Sequence, residues 1–501
     1  MQTLPTPSNS VPQPALSYTL EEWRSGYRSQ PHEFSYWIEN IEGEIPQTLT
    51  GTLFRNGPGL LDIGGHPLRH PFDGDGMISR IAFQNGRAHY CNRFVRTAGY
   101  VAEQATGKPV YRGVFGTQKP GGWLANAFDL RLKNIANTHV VYWGDKLLAL
   151  WEAAEPHRLD PHSLDTLGLD NLEGVLQPGE AFAAHPRIDP GDAEAGRSPR
   201  LVNFGVKAGL SSTITLYEFE PTGQLVHKTQ HTIPGFAFLH DFAVTPHYAI
   251  FFQNPVSFNP LPYVLGFKGA AECIRFNPKQ PTQIIVIPRS GNDPVQIFDA
   301  PACFVFHHAN AFEENGQLVV DSIGYQDFPS LDEGMGYQEV DFSTIPEGQL
   351  WRFILDFKTQ RVDAQCVIPR CCEFPTQHPQ TVGRPYRYLY SGTAHAPLGN
   401  APLQAILKHD FHTGQSQVWS AAPHGFASEP VFVPHPEGTA EDDGWLLSVF
   451  YDGARQSSEV VILDARDLTT GPLARLKLRH HIPYGLHGSF VGTYFGPEMH
   501  P

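Results

Sequence analysis

Six residues able to bind or support a metal recur along this chain at nearly equal steps. His185, His240, His307, Glu373, Glu429 and His487 are separated by 55, 67, 66, 56 and 58 residues. Each stands just before or at the start of a β-type segment: AAHPR (183–187), FLHDF (238–242), FHHANAFEE (306–314), CCEFP (371–375), ASEPV (427–431) and GLHGS (485–489). One such residue per repeat of this length is the mark of small sheets arrayed around an axis. If the repeats close into a ring, all six side chains converge, and imidazoles far apart in sequence can share one ion.

The strands support that reading. A hairpin pattern recurs at 214–228, 350–364, 405–419 and 460–478, where an alternating apolar run meets a turn and then a more polar run. A second set, 145–152, 247–254, 316–323, 386–393 and 444–452, is nearly continuous in apolar residues, as strands buried on both faces should be. These are expected to be the inner strands, alternating with outer hairpins. Four strands per repeat predict an all-β, seven-bladed propeller with loops and short helices over one face. GGWLANAFDLRLKNIA (121–136) and LPYVLGFKGAAECI (261–274) are the expected helices of that face. Closure is expected from GSFVGTYF (488–495) lying beside TGTLFRNG (50–57), because pairing strands from the two ends removes exposed edges.

Nothing inside the 501 residues reads as a linker, so residues 18–501 are expected to form a single domain behind a disordered tail rich in Pro, Ser and Thr at 1–17. Thr19 and Glu22 match a capping box for a short helix at 20–27. The formal net charge of −15 argues against nucleic acid, whose phosphates need Lys and Arg. The six cysteines show no metal-type spacing, and the adjacent pair Cys371–Cys372 is poor disulfide material and reads as core filler. Reduced thiols, no visible signal peptide and no long apolar run fit a cytoplasmic chain. FRNGPG (54–59) and HPFDGDGM (70–77) do not open a helix after a strand, as a phosphate loop must, and read as tight turns.

Four neutral imidazoles suit Fe, Cu, Zn or Ni, and the lack of cysteine among them removes the thiolate signature of structural zinc. Glu373, Glu429 and Glu152 can accept the outer N–H of a ligand imidazole, fixing its tautomer and adding negative charge. A redox-capable metal inside an aromatic cavity suggests dioxygen chemistry on an apolar substrate. With 24 histidines in the chain, most have other roles; His231, His247, His409, His424 and His480 read as turn or solvated-face residues.

FRNGPG, HPFDGDGM, FLHDF, FHHANAFEE and LHGS, in this order, resemble the signature stretches of the carotenoid cleavage oxygenases, from about residue 18 onward. Within that family the resemblance is strongest to the cyanobacterial apocarotenoid-15,15′-oxygenase branch. It implies a seven-bladed propeller with Fe(II) on its axis, held by His185, His240, His307 and His487, with His308 left to packing. It implies Glu152, Glu373 and Glu429 as the carboxylates behind the ligands. It also implies Thr138, whose methyl crowds one open iron position, and Phe72, Trp151, Phe238, Phe306 and Tyr325 as walls of a substrate tunnel. The implied reaction joins O2 to a carotenoid or apocarotenoid and splits one C=C bond, at 15,15′, into two aldehydes such as retinal. Ring faces of Trp151 and Phe306 would steady positive charge along the polyene.

Two rival readings carry less. A retinoid isomerohydrolase-like member would carry a Pro-Asp-Pro-Cys-Lys segment on its membrane-facing loop, and no cysteine lies between Cys91 and Cys273. A non-catalytic binding propeller would not need axial histidines. A monomer is expected, and since carotenoids reside in lipid, peripheral membrane association is expected through GGWLANAF (121–128) and LPYVLGF (261–267), with Trp123 and Leu124 as candidates.

Overall fold

The computed structural model describes residues 4, 17–194, 196–291, 293–329 and 336–498. Of the expected tail, only Leu4 and Ser17 are among them. Leu4 is buried among apolar residues of the fourth and fifth blades, including Ile250, Phe252 and Trp351.

Seven sheets of four to six strands form the blades. The third, with Arg187–Asp189, Arg200–Lys207, Ser211–Phe219 and Leu225–Pro234 paired antiparallel in succession, shows the plan of all of them. The four hairpin repeats are the two outer strands of the third, fifth and sixth blades and the two strands inside the edge strand Ile41–Gly43 of the seventh. Leu225–Pro234 and Arg361–Ile368 alternate in exposure, because one face packs on the next blade and the other meets water.

The nearly continuous apolar set occupies the second position of its blade, not the innermost. Tyr248–Gln253, Gln317–Tyr325 and Tyr388–Ala394 each pair on one side with a strand nearer the axis. The second strand has sheet on both sides and a neighbouring blade on each face, which demands apolar residues throughout. The strands nearest the axis are mostly short, such as Ala243–Val244 and Gly425–Ala427, and carry or adjoin the site residues.

The ring is closed twice. Gly488–Val491 pairs with Gly51–Arg55 in the register Thr52↔Val491 to Arg55↔Gly488, as the sequence predicts. In the adjoining blade, Ile41–Gly43 pairs with Pro472–Lys477, a second closure that the pattern did not disclose.

The loop-rich face differs more from expectation. α-Helix is confined to Gly122–Asn126 in the first predicted segment and to Pro260–Val264 in the second, which also holds a single 3-10 turn at Ala271–Cys273. Left-handed backbone at Phe128 and Ala136 breaks the one, and Gly266, at φ +79°, breaks the other. The longest helix is Ala98–Thr106, capped by Thr97 and ended by Gly107 at φ +63°. The expected helix runs over Leu20–Ser25 and shows half of the capping box: Glu22 N–H donates to Thr19 Oγ1, but the Glu22 carboxylate pairs with His424.

Candidate metal centre and substrate cavity

His185, His240 and His487 lie just before the innermost strands Arg187–Asp189, Ala243–Val244 and Gly488–Val491, and His307 lies near the start of Phe304–Glu314. The four side chains meet, their ligand atoms all within 4.8 Å of one another. His185 Nε2 lies 3.1 Å from His487 Nε2, and His240 Nε2 lies 3.3 Å from His307 Nε2. For metal–nitrogen bonds of about 2.1 Å, nitrogens at right angles sit about 3 Å apart and opposed ones about 4 Å. Four convergent imidazole nitrogens at these spacings fit one metal ion.

The outer nitrogens show how those rings are held. His307 Nδ1 donates to Glu373 Oε2 at 2.6 Å, His487 Nδ1 to Glu429 Oε1 at 2.8 Å, and His240 Nδ1 pairs with Glu152. A proton fixed on Nδ1 leaves Nε2 as the lone-pair donor facing the axis. Burial works against the charge of Glu373, but His307, Tyr325 and the Phe374 N–H outweigh it and lower its pKa. Glu429 is likewise buried, yet His487 and Arg55 hold it at about 2. His185 has no such partner: its Nδ1 is buried without a hydrogen bond, and burial plus the neighbouring imidazoles push its pKa well below the histidine range. Burial also lowers His487 to about 4. Neutral imidazoles are the form that binds a metal.

An apolar cavity of about 220 Å³ lies against this cluster. Phe72, Trp151, Phe238, Phe306 and Tyr325, all expected as tunnel residues, line it beside His240, His307, His487, Glu152 and Glu373. Tyr325 also has another task, since its hydroxyl donates to Glu373 Oε1 at 2.7 Å. Thr138 borders the cavity too. Its hydroxyl donates to Asn137 Oδ1 at 3.2 Å, and Asn137 Nδ2 is anchored on the carbonyls of Phe72 and Gly74.

Four cavity residues escaped the sequence reading: Phe115, Asn137, Phe374 and Leu486. Phe374 and Leu486 are chain neighbours of Glu373 and His487, which was the available signal. Phe374 holds a left-handed backbone at φ +56°, costly for a bulky residue, and so brings its ring within 5.5 Å of both His307 and His487.

The two glycine-rich motifs are more than tight turns. Arg55, in FRNGPG, pairs with Glu429 and donates to the Leu486 carbonyl at 2.7 Å. Asn56 donates to the carbonyls of Ala136 and His139, while backbone bonds join it to Leu486 and His487. In HPFDGDGM, buried Asp73 accepts from the N–H groups of Phe115 and Thr117, fixing a wall of the cavity. Short-range pattern could not disclose partners hundreds of residues away.

His308 points elsewhere, its Nδ1 2.7 Å from Ser322 Oγ and its ring against Phe252, so packing accounts for it. His231, His247, His409, His424 and His480 are outside the cluster. His247 and His424 are exposed, as expected; His409 is instead buried beside Phe411, and His480 stacks on Phe34. Cys371 and Cys372 are buried and unpaired, as are Cys91, Cys273 and Cys303, while Cys366 is part-buried and unpaired.

Residues 27–492 match the family model described as retinal pigment epithelial membrane protein, RPE65. The chain belongs to this family. The RPE65-type carotenoid oxygenase family cleaves carotenoids by dioxygenation. Apocarotenoid-15,15′-oxygenase from Synechocystis is 56% identical over 478 residues, covering 95% of this chain and 97% of that protein. A carotenoid 9,10(9′,10′)-cleavage dioxygenase from Phaseolus vulgaris is 30% identical, over 90% of this chain and 86% of its own. Cobalt-substituted Synechocystis ACO superposes with a TM-score of 0.94 over 96% of this chain and all of that one, at 56% identity. A seven-bladed propeller is thus shared with this relative, whose structure carries a substituted cobalt. Among the described residues, no helix is long and apolar enough to cross a membrane.

Proposed function

We propose that this family member is an Fe(II) dioxygenase that cleaves the 15,15′ double bond of apocarotenals, giving two aldehydes, one of them retinal. The observation that carries the reading is the convergence of four imidazole nitrogens, three of them from residues lining a largely aromatic cavity. The Synechocystis relative named for 15,15′ cleavage is far more similar than the bean relative named for 9,10 cleavage, which favours the central bond.

His185, His240, His307 and His487 would hold the iron, with Glu152, Glu373 and Glu429 supplying the charge that four neutral ligands lack. Bound there, Fe(II) supplies the activation of O2 for insertion across a C=C bond. The chain's own groups do the rest. Phe72, Phe238, Phe306 and Phe374 exclude water and lay an extended polyene across the site. The ring faces of Trp151 and Phe306 stabilise positive charge that develops along the polyene. Thr138, its hydroxyl turned to Asn137, borders the cavity, and its methyl group would crowd one approach to a bound iron.

Substrate would arrive from lipid through peripheral docking. Trp123, Leu124, Phe128, Leu261 and Phe267 are large apolar residues left exposed on two neighbouring segments. The second segment is tied toward the cavity: Phe236, two residues from the cavity residue Phe238, stacks on Phe258, which leads into the Pro260–Val264 helix.

The test of the activity is direct. Protein loaded with iron under anaerobic conditions is given a panel of all-trans apocarotenals and β-carotene in air, and the aldehydes are identified by chromatography and mass. Retinal from the apocarotenals is expected. Aldehydes of other lengths would move the bond, and no aldehyde from any substrate would remove the activity.

A further inference from the structure

Arg112 is among the largest fully buried side chains of the molecule, 1% exposed. No carboxylate pairs with it among the described residues. Its partners are backbone carbonyls: Nη1 donates to Asn126 O at 3.2 Å and to Asp129 O at 3.1 Å, and Nη2 to Lys268 O at 2.7 Å. Its guanidinium also lies 4.2 Å from the ring centre of Tyr263. Asn126 ends the Gly122–Asn126 helix, whose last carbonyls have no partner within the helix. Lys268 and Tyr263 belong to the other apolar segment. One buried cation therefore ties together the two stretches that expose Trp123, Leu124 and Phe128 on one side and Leu261 and Phe267 on the other.

Three further contacts join them among the described residues. Phe128 N–H donates to Val264 O at 2.7 Å, and the Trp123 and Phe267 rings lie 5.4 Å apart. Gly266 closes the approach, since a Cβ there would come within 2.6 Å of Trp123 O and Ala127 N. Both helices have five residues, too few to persist without outside support. A large apolar surface presented to water on such short elements needs an internal brace, and a planar fork of five N–H donors suits one that must span carbonyls of separate segments.

We infer that Arg112 is the positioning residue that assembles these segments into one preformed docking surface for a zwitterionic lipid bilayer, and so governs delivery of substrate, not its cleavage. This rests on the docking reading given above. Preorganisation is the physical point: without the fork, the apolar side chains still exist but must be ordered at the moment of docking, which weakens binding.

The test uses full-length, metal-loaded enzyme and phosphatidylcholine vesicles, with the apocarotenal supplied either in the vesicles or in detergent. Arg112→Met keeps the aliphatic stem and removes the fork; Arg112→Lys keeps the cation and removes its span. In each, vesicle flotation is expected to fall about tenfold, matching the loss of about two buried methylenes' worth of anchoring. The KM for vesicle-held substrate should rise in parallel, while kcat in detergent and metal content stay at wild-type values. Amide hydrogen exchange should rise in 122–130 and 260–268 and not in the blades. Wild-type flotation in a folded Arg112 variant overturns the inference, as does loss of metal or of detergent activity in Arg112→Lys, which would make Arg112 a general support of the fold. The double variant Trp123→Ser, Leu124→Ser separates the two claims, because undiminished flotation there removes the docking surface itself, whatever Arg112 does.

Discussion

His487 and His185 approach each other to 3.1 Å, yet they are held by opposite means. Behind His487 stands a chain of charge, Glu429 and then Arg55, with Gly488 N–H donating to the same carboxylate at 3.0 Å. Behind His185 there is packing alone, and its outer nitrogen faces no acceptor. His307, with Glu373, Tyr325 and Phe374 N–H, resembles His487; His240, with Glu152, is intermediate. The difference teaches that orientation and charge are separable duties. A rigid ring of strands can aim an imidazole without help, but only a carboxylate can raise its electron donation and offset a divalent ion.

The largest effect should come from removing the best-supported ligand. Truncation after Leu486 takes away His487 together with the strand that pairs with Gly51–Arg55, so metal and melting temperature should both fall, whereas His487→Ala should lose the metal and keep most of the stability. Metal analysis beside a thermal melt distinguishes them. A truncated protein that keeps both would break the account of closure and of the ligand.

Next come the carboxylates. Glu373→Gln and Glu429→Gln keep shape and remove charge, and changes of this kind cost about 10–100-fold in metal affinity or activity. Titration with Fe(II) or Co(II) reads the first, turnover the second. Wild-type values in both variants would reduce the charged arms to scaffolding and erase the contrast with His185.

A smaller effect is expected from Tyr325→Phe. It deletes one hydrogen bond to a charged acceptor, about 1.5–3 kcal/mol, and only part of that loss reaches His307, so a few-fold drop in metal affinity is expected. If Tyr325→Phe instead leaves affinity untouched and raises KM, the hydroxyl serves the cavity and not Glu373.

His308→Ala should change metal content least, since that ring bonds to Ser322 and packs away from the axis, while His307→Ala should empty the site. The reverse pair of results would transfer the ligand by one residue.

The rhythm of one residue per blade was legible because ring closure converts equal spacing in sequence into convergence in space. Thr138 fits it too: it immediately precedes the innermost strand His139–Trp143 of the second blade, 47 residues before His185, although spacing alone did not point to a threonine. The strands were legible from alternation, apart from which set lies nearest the axis. Arg55 and Asn56 were not, because nothing local in FRNGPG indicates a partner 374 residues away. The loop-rich face was least legible. Apolar runs there suggested long helices, but left-handed turns at Phe128 and Gly266 cut them short, and the brace that orders them, Arg112, looks like any other arginine until its carbonyl partners are known.

The double closure also sets a schedule. The fourth ligand follows the first by 302 residues, and it becomes fixed only when its strand returns to one laid down at the other end of the sequence. Such distant pairing is slow to form and comes late. While the chain is being synthesised, a growing polypeptide can therefore complete several blades and still present at most three of the four imidazoles that converge in the finished ring.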